Sequence, residues 1–99
     1  MAVAVQLDFR GVTLEQYDEF SELTGYLPGG PAPPGALFHW ITKTDDGCRI
    51  TDVWESRDAF EVFAEEMIAP HFRELGVHDP PDIQFFEVHN YLVGSRWKS

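Results

Sequence analysis

Val3, Val5, Leu7 and Phe9 fall on one side of an alternating run whose other side carries Ala2, Ala4, Gln6 and Asp8. That two-residue period predicts a first strand over residues 2–9. The rhythm changes at Thr13, which forms a capping-box pattern with Gln16 and is followed by an apolar stripe of Leu14, Tyr17, Phe20 and Leu23. With Glu15, Asp18 and Glu19 near the positive end of the helix dipole, this predicts a helix over residues 14–24. The Pro- and Gly-rich stretch 28–35 loses amide donors at Pro28, Pro31, Pro33 and Pro34 and favours extended backbone, so it is expected to be a loop. Residues 37–43 and 48–54 are β-branched and aromatic runs joined by Thr44-Asp45-Asp46-Gly47, whose Asp-Gly pair suits the positive backbone angles of a hairpin turn. Ser56 can cap a second helix in which Phe60, Phe63, Ala64 and Met67 recur at helical spacing. Pro70 should kink or restart that helix before Gly76 ends it. Residues 83–89 then read as a fourth strand, and 91–99 as a tail.

The order β-α-β-β-α-β closes most simply as an α+β ferredoxin-like sandwich: a four-stranded antiparallel sheet, order 4-1-3-2, with both helices on one face. Residues 1–99 are read as one such domain. Strand two nevertheless carries apolar residues on both faces (Leu37 and Ile41; Phe38 and Trp40), as does strand four (Ile83 and Phe85; Phe86 and Val88). The helix-free face therefore needs a cover, and a second copy laying its sheet against the first would supply it. A homodimer is expected, two copies forming a dimeric α/β barrel, with the Trp97 tail lapping the junction.

Charge narrows the partners. The chain carries 17 Asp+Glu against 7 Lys+Arg, a formal net charge of −10, and so lacks the cationic surface that nucleic acid or an anionic membrane requires. Eight Phe, three Tyr and three Trp supply a core and suit a hydrophobic or aromatic small-molecule ligand. The single Cys48 forbids an internal disulfide, and no leader or long apolar run is seen, so a cytoplasmic location is expected.

The strand-to-helix junction Ile50-Thr51-Asp52-Val53-Trp54-Glu55-Ser56-Arg57-Asp58-Ala59-Phe60 and the helix end Met67-Ile68-Ala69-Pro70-His71-Phe72, together with the element order, resemble the dimeric α/β-barrel superfamily. That group includes antibiotic-biosynthesis monooxygenases and stress-responsive A/B-barrel proteins with the polyketide cyclases among them. The resemblance runs from the first strand to Tyr91 and implies the barrel dimer. It also implies chemistry on aromatic or polyketide-like molecules without an organic cofactor. The cyclases carry a pattern like Ile-His-Pro-x-His at this helix end. Here Ile68-Ala69-Pro70-His71 keeps Ile and Pro, has Ala in place of the first histidine, and places its histidine one position early.

Continued helical spacing from Phe60, Ala64 and Met67 puts His71 on the stripe facing the sheet, where apolar walls would lower its pKa and suit it to act as a base. The second candidate group closes strand four: His89 with Glu87 behind it on the same strand face, and Tyr91 as a further catalytic residue. Trp40, Trp54, Phe63, Met67 and Asn90 are candidates for substrate binding, and Arg49 could orient an acidic substrate. His39 reads as a satisfied sheet histidine, His78 as a solvated turn residue, Cys48 as a small buried hydrophobe, and the 28–35 loop as a connection or a lid. His39 and His89 fall on opposite sheet edges and no ligand-spaced Cys/His motif exists, so neither metal nor flavin is expected. One axial His71 or His89 could hold haem, but few cations are available to meet its propionates. Two functional classes follow. One is a cofactor-independent enzyme of cyclase or monooxygenase type acting by proton abstraction. The other is a non-catalytic dimeric module that binds a hydrophobic metabolite or assists a partner enzyme.

Overall fold

The computed structural model describes residues 1–92; the expected lapping of the Trp97 tail lies outside them. Four strands, β1 (Val3–Arg10), β2 (Ala36–Thr44), β3 (Gly47–Trp54) and β4 (Asp82–Glu87), form one antiparallel sheet in the order β2-β3-β1-β4. Helix α1 (Leu14–Thr24) follows β1. The second helical segment comprises α2 (Arg57–Phe63), a π turn over Ala64–Ile68, and α3 (Ala69–Glu74). This is the expected ferredoxin-like arrangement.

Strand alternation sorts the two faces of the sheet. Val5, Leu7 and Phe9 on β1 and Cys48, Ile50, Asp52 and Trp54 on β3 are buried on the helix-covered face, against Phe20, Phe60, Ile68 and Phe72. Phe72 stacks on Phe20 at 4.6 Å between ring centroids and lies 5.0 Å from Phe9, locking both helices to the sheet centre. On the bare face Arg49 meets Asp8 at 2.6 Å, while Phe38, Trp40 and Phe86 are 56%, 47% and 51% exposed.

Several local expectations need correction. Asp45 and Asp46 keep negative φ, and Gly47 is not in the left-handed region, so the hairpin does not use the Asp-Gly pair as supposed. Gly47 is needed because a Cβ there would collide with the carbonyl oxygen of Phe9 on the neighbouring strand. Strand β4 ends at Glu87 rather than His89, because β1 offers its last partner at Val3; beyond it only the Val88 amide still bonds, to the Ala2 carbonyl. The kink does occur near Pro70, but as a wide turn: the Ala69 N–H bonds the Ala64 carbonyl five residues back. Pro70, without an N–H, cannot serve the Glu66 carbonyl four residues before it. The widened turn inserts one residue into the stripe, so Ile68 and Phe72 occupy the sheet-facing positions expected for Met67 and His71. Gly76, at φ 85°, ends the helix as expected.

Candidate active site

Three elements deliver polar side chains to one place on the covered face. Thr13 caps α1 and, with Gln16, closes the capping box, which fixes the first turn and places Tyr17 on the face shared with Phe20. The two-residue Asp45-Asp46 loop sets Thr44 opposite Gly47, and that register puts His39 of β2 directly opposite Asp52 of β3. His39 shares its side of β2 with Ile41, so its ring rises toward α1 rather than toward the bare face.

The result is a continuous hydrogen-bonded chain. The Tyr17 hydroxyl is 2.5 Å from His39 Nε2, and His39 Nδ1 is 2.6 Å from Asp52 Oδ1. The indole N–H of Trp54 donates to Asp52 Oδ2 at 3.1 Å. Tyr17 and His39 lie nearly parallel, 14° between planes. Asp52 is only 5% exposed, and a carboxylate there is tolerable because both its oxygens have donors. Burial pushes the Tyr17 phenol above its ordinary pKa; a hydrogen bond with Ser21 offsets part of this, and the charges of Asp52 and Asp18 add to the upward push. A phenol held protonated donates to Nε2, which leaves Nδ1 carrying the ring hydrogen and donating it to Asp52. Chemically this is a hydroxyl, a base and an orienting carboxylate in series, with the central His39 exposed at an edge strand.

The residues expected from the sequence are distributed around and away from this chain. Trp54 is fully buried and holds Asp52, while Phe63 packs on Trp54 at 5.2 Å. Met67 is half-buried, and its carbonyl accepts the His71 Nδ1 hydrogen at 2.8 Å. His71 itself is half-buried and meets Phe20 edge-on at 6.1 Å, so it lies beside the aromatic that also flanks Tyr17 and not on the sheet-facing stripe. Trp40 is on the opposite, bare face, as is Arg49 in its pair with Asp8. His89, Asn90 and Tyr91 are exposed beyond the end of β4, the sheet edge farthest from β2, and the expected strand-face pairing of Glu87 with His89 is lost because the strand stops between them. On that far side a groove of about 420 Å³ runs between α2 and β4, lined by Phe60, Ala64, Ile83 and Phe85 with Arg57, Glu61 and Glu65 at its rim. Cys48 is buried, and burial, then the charge of Asp8, raises its thiol pKa.

His39 is satisfied, as its sequence setting suggested, but sequence reasoning missed both partners that make it more than that. One signal was available for Asp52: it sits in the alternating run Cys48-Ile50-Asp52-Trp54, where every other member is apolar. A carboxylate on a core stripe demands a partner, and the hairpin register names His39. For Tyr17 the sequence pattern shows only membership of an amphipathic stripe.

No family model matches the chain, and no curated protein does. Solved structures do. SnoaB, a cofactor-independent oxygenase from Streptomyces nogalater, aligns with 18% identity over 92% of this chain and 95% of its own, TM-score 0.59. The monooxygenase of the gene ActVA-Orf6 from Streptomyces coelicolor, solved with nanaomycin D, aligns with 24% identity over 95% and 92%, TM-score 0.54. An antibiotic-biosynthesis-monooxygenase-like protein from Chloroflexus aurantiacus aligns with 16% identity over 95% and 100%, TM-score 0.61. The two helices over one face of a β2-β3-β1-β4 sheet are thus the ferredoxin-like fold of the antibiotic-biosynthesis-monooxygenase-like structures.

Proposed function

We propose that the chain is a small enzyme that acts on an aromatic or polyketide-like molecule by proton transfer, without an organic cofactor, as cyclases and monooxygenases of this fold do. The observation that carries the reading is the Tyr17–His39–Asp52 chain. A proton leaving an acidic carbon or hydroxyl of the substrate passes to the Tyr17 oxygen as the Tyr17 proton passes to His39 Nε2. The imidazolium so formed is held in place and stabilised by Asp52. The resulting enolate closes a ring or meets dioxygen. Phe63 and Met67, half-buried on the adjoining helical segment, offer apolar contact to a flat substrate. The printed descriptions of SnoaB as a cofactor-independent oxygenase and of the ActVA-Orf6 monooxygenase with nanaomycin D support the class of chemistry.

The same proposal includes a homodimer joined through the bare sheet face, where Phe38, Trp40 and Phe86 would otherwise stay wet at roughly 25 cal/mol for each Å² of apolar area. No helix among the described residues is long and apolar enough to cross a membrane.

The test is turnover of a panel of phenolic and quinone-type polyketides by the wild type and by Tyr17→Phe and His39→Gln. The proposal requires both variants to lose turnover while remaining folded. A second reading, a non-catalytic binding module, is favoured by one observation: Phe60 and Phe72 are buried and fill the space between α2–α3 and the sheet where a cavity around His71 was expected. Undiminished turnover in both variants would remove Tyr17 and His39 from the reaction, whereas no turnover by any of the three proteins would turn the account toward that module.

A further inference from the structure

The chain of Tyr17, His39 and Asp52 has a second chemical capacity, one that does not rest on the aromatic substrate proposed above. Its connectivity is that of an activated nucleophile: a hydroxyl oxygen 2.5 Å from one imidazole nitrogen, and a carboxylate oxygen 2.6 Å from the other. In such an arrangement the base removes the hydroxyl proton as the new bond forms, and the carboxylate fixes the ring and stabilises its cationic form. The carboxylate is in turn fixed by the Trp54 indole. Tyr17 is half-buried and His39 exposed, so a small reagent can reach the oxygen from the β2 edge. The other tyrosines provide internal references. Tyr26 packs on Phe63 at 5.8 Å and Tyr91 is exposed, and among the described residues neither is hydrogen-bonded to a histidine.

We propose that Tyr17 is a nucleophile that accepts the acyl group of activated aryl esters. The Tyr17 oxygen attacks the ester carbonyl carbon while its proton moves to His39 Nε2. The bond from that carbon to the aryl oxygen then breaks, and the aryloxide leaves with the electron pair and takes up the proton from His39. The products are O-acyl-Tyr17 and a free phenol, and nothing is oxidised or reduced. Because burial keeps the phenol protonated, its acylation depends on the imidazole more than that of a solvated tyrosine does.

The full chain is treated with p-nitrophenyl acetate, nitrophenolate release is followed, and the acetylated residues are mapped by peptide mass spectrometry. The expected result is a stoichiometric burst with the acetyl group on Tyr17, gained at least about 10-fold faster than on Tyr26 or Tyr91. Tyr17→Phe removes the burst, and His39→Gln or Asp52→Asn slows Tyr17 labelling without changing that of Tyr26. Where a variant does not fold, the Tyr17-to-Tyr26 labelling ratio in the wild type decides alone. Acetylation confined to lysines and the N-terminus, Tyr17 labelled no faster than Tyr26, or an unchanged Tyr17 rate in a folded His39→Gln variant overturns the proposal. The first two of those results leave the proton-transfer reading standing and the third weakens both, while absent polyketide turnover leaves an acylated Tyr17 standing.

Discussion

Each face of the sheet carries an exception to the usual distribution of polarity, a buried carboxylate on one and exposed aromatics on the other. On the face covered by helices, β3 buries a carboxylate among Cys48, Ile50 and Trp54; His39 bonds it, and Tyr17 bonds the far nitrogen of His39. On the face without helices, Phe38, Trp40 and Phe86 stand half in water beside the Asp8–Arg49 pair. Burying Asp52 costs desolvation that its two hydrogen-bond donors, His39 and Trp54, offset together, whereas the bare-face aromatics stay exposed unless the proposed second copy covers them. On the proposed function the covered face serves chemistry and the bare face association, and that proposal requires that each can be disturbed without the other.

The largest expected effect is on the covered face. His39→Gln keeps a polar side chain but cannot accept and hold a proton, and it should lower turnover by about 10²–10⁴ once a substrate is known. Light scattering on the same variant should show an unchanged assembly state. A loss of assembly together with activity would join the two faces that the account separates.

Next in size is the π turn, which decides what the second helical segment buries. Phe72→Ala should cost about 3–5 kcal/mol in urea unfolding, because the ring stacks on Phe20 and packs tilted against Phe9 in the core. His71→Ala, one residue earlier, should cost less than about 1.5 kcal/mol, since it gives up one hydrogen bond to the Met67 carbonyl and a partial contact. Equal costs would mean that the stripe runs through Met67 and His71 after all.

Adjacent residues of β4 sharpen the contrast of faces. Phe85 packs on Phe60 under the Arg57 guanidinium, 3.9 Å from the ring centre, while Phe86 points to the bare side opposite Ala4. Phe85→Asp should lower stability by about 1–3 kcal/mol with assembly little changed at equal folded concentration. Phe86→Asp should shift light scattering from dimer toward monomer while chain stability holds. A wild type that is strictly monomeric at micromolar concentration would remove the association half of the comparison.

The smallest effect concerns alkaline stability. The folded Tyr17 phenol holds its proton more tightly than the unfolded one, so its contribution is fully present below the ordinary tyrosine pKa of 10.0 and is lost as pH rises through the higher folded value. Stability should therefore fall with alkaline pH more steeply in the wild type than in Tyr17→Phe, measured by denaturant midpoint on either side of that value. Identical slopes would mean that Tyr17 is not shielded by the covered face.

Much of this architecture was legible because period and punctuation agree. The alternation of β1, the capping box of Thr13 and Gln16, and Gly76 after the second helical segment each state a local rule that tertiary packing did not override. What escaped were properties set by neighbours at a distance. Gly47 reads as a turn residue, yet its role comes from the closeness of Phe9 on β1. Pro70 announces a break, but whether a chain answers with a kink or with an extra residue in the turn depends on which alternative buries Ile68 and Phe72 better. The polar chain was half legible. Asp52 and His39 follow from the core period of β3 and the hairpin register, whereas the reach of Tyr17 from α1 to β2 needs the packing angle of the helix, which no local pattern encodes.

The central claim, that Tyr17, His39 and Asp52 form one proton path, is tested most directly by nitrogen-15 NMR of the four imidazoles in histidine-labelled protein, assigned with His39→Gln. The account predicts that His39 carries its ring hydrogen on Nδ1, with that hydrogen strongly deshielded and protected by its bond to Asp52, and that Tyr17→Phe moves the Nε2 resonance while leaving Nδ1 bonded. A His39 that carries its hydrogen on Nε2, or that shows rapid solvent exchange at Nδ1 and no response to Tyr17→Phe, would contradict it.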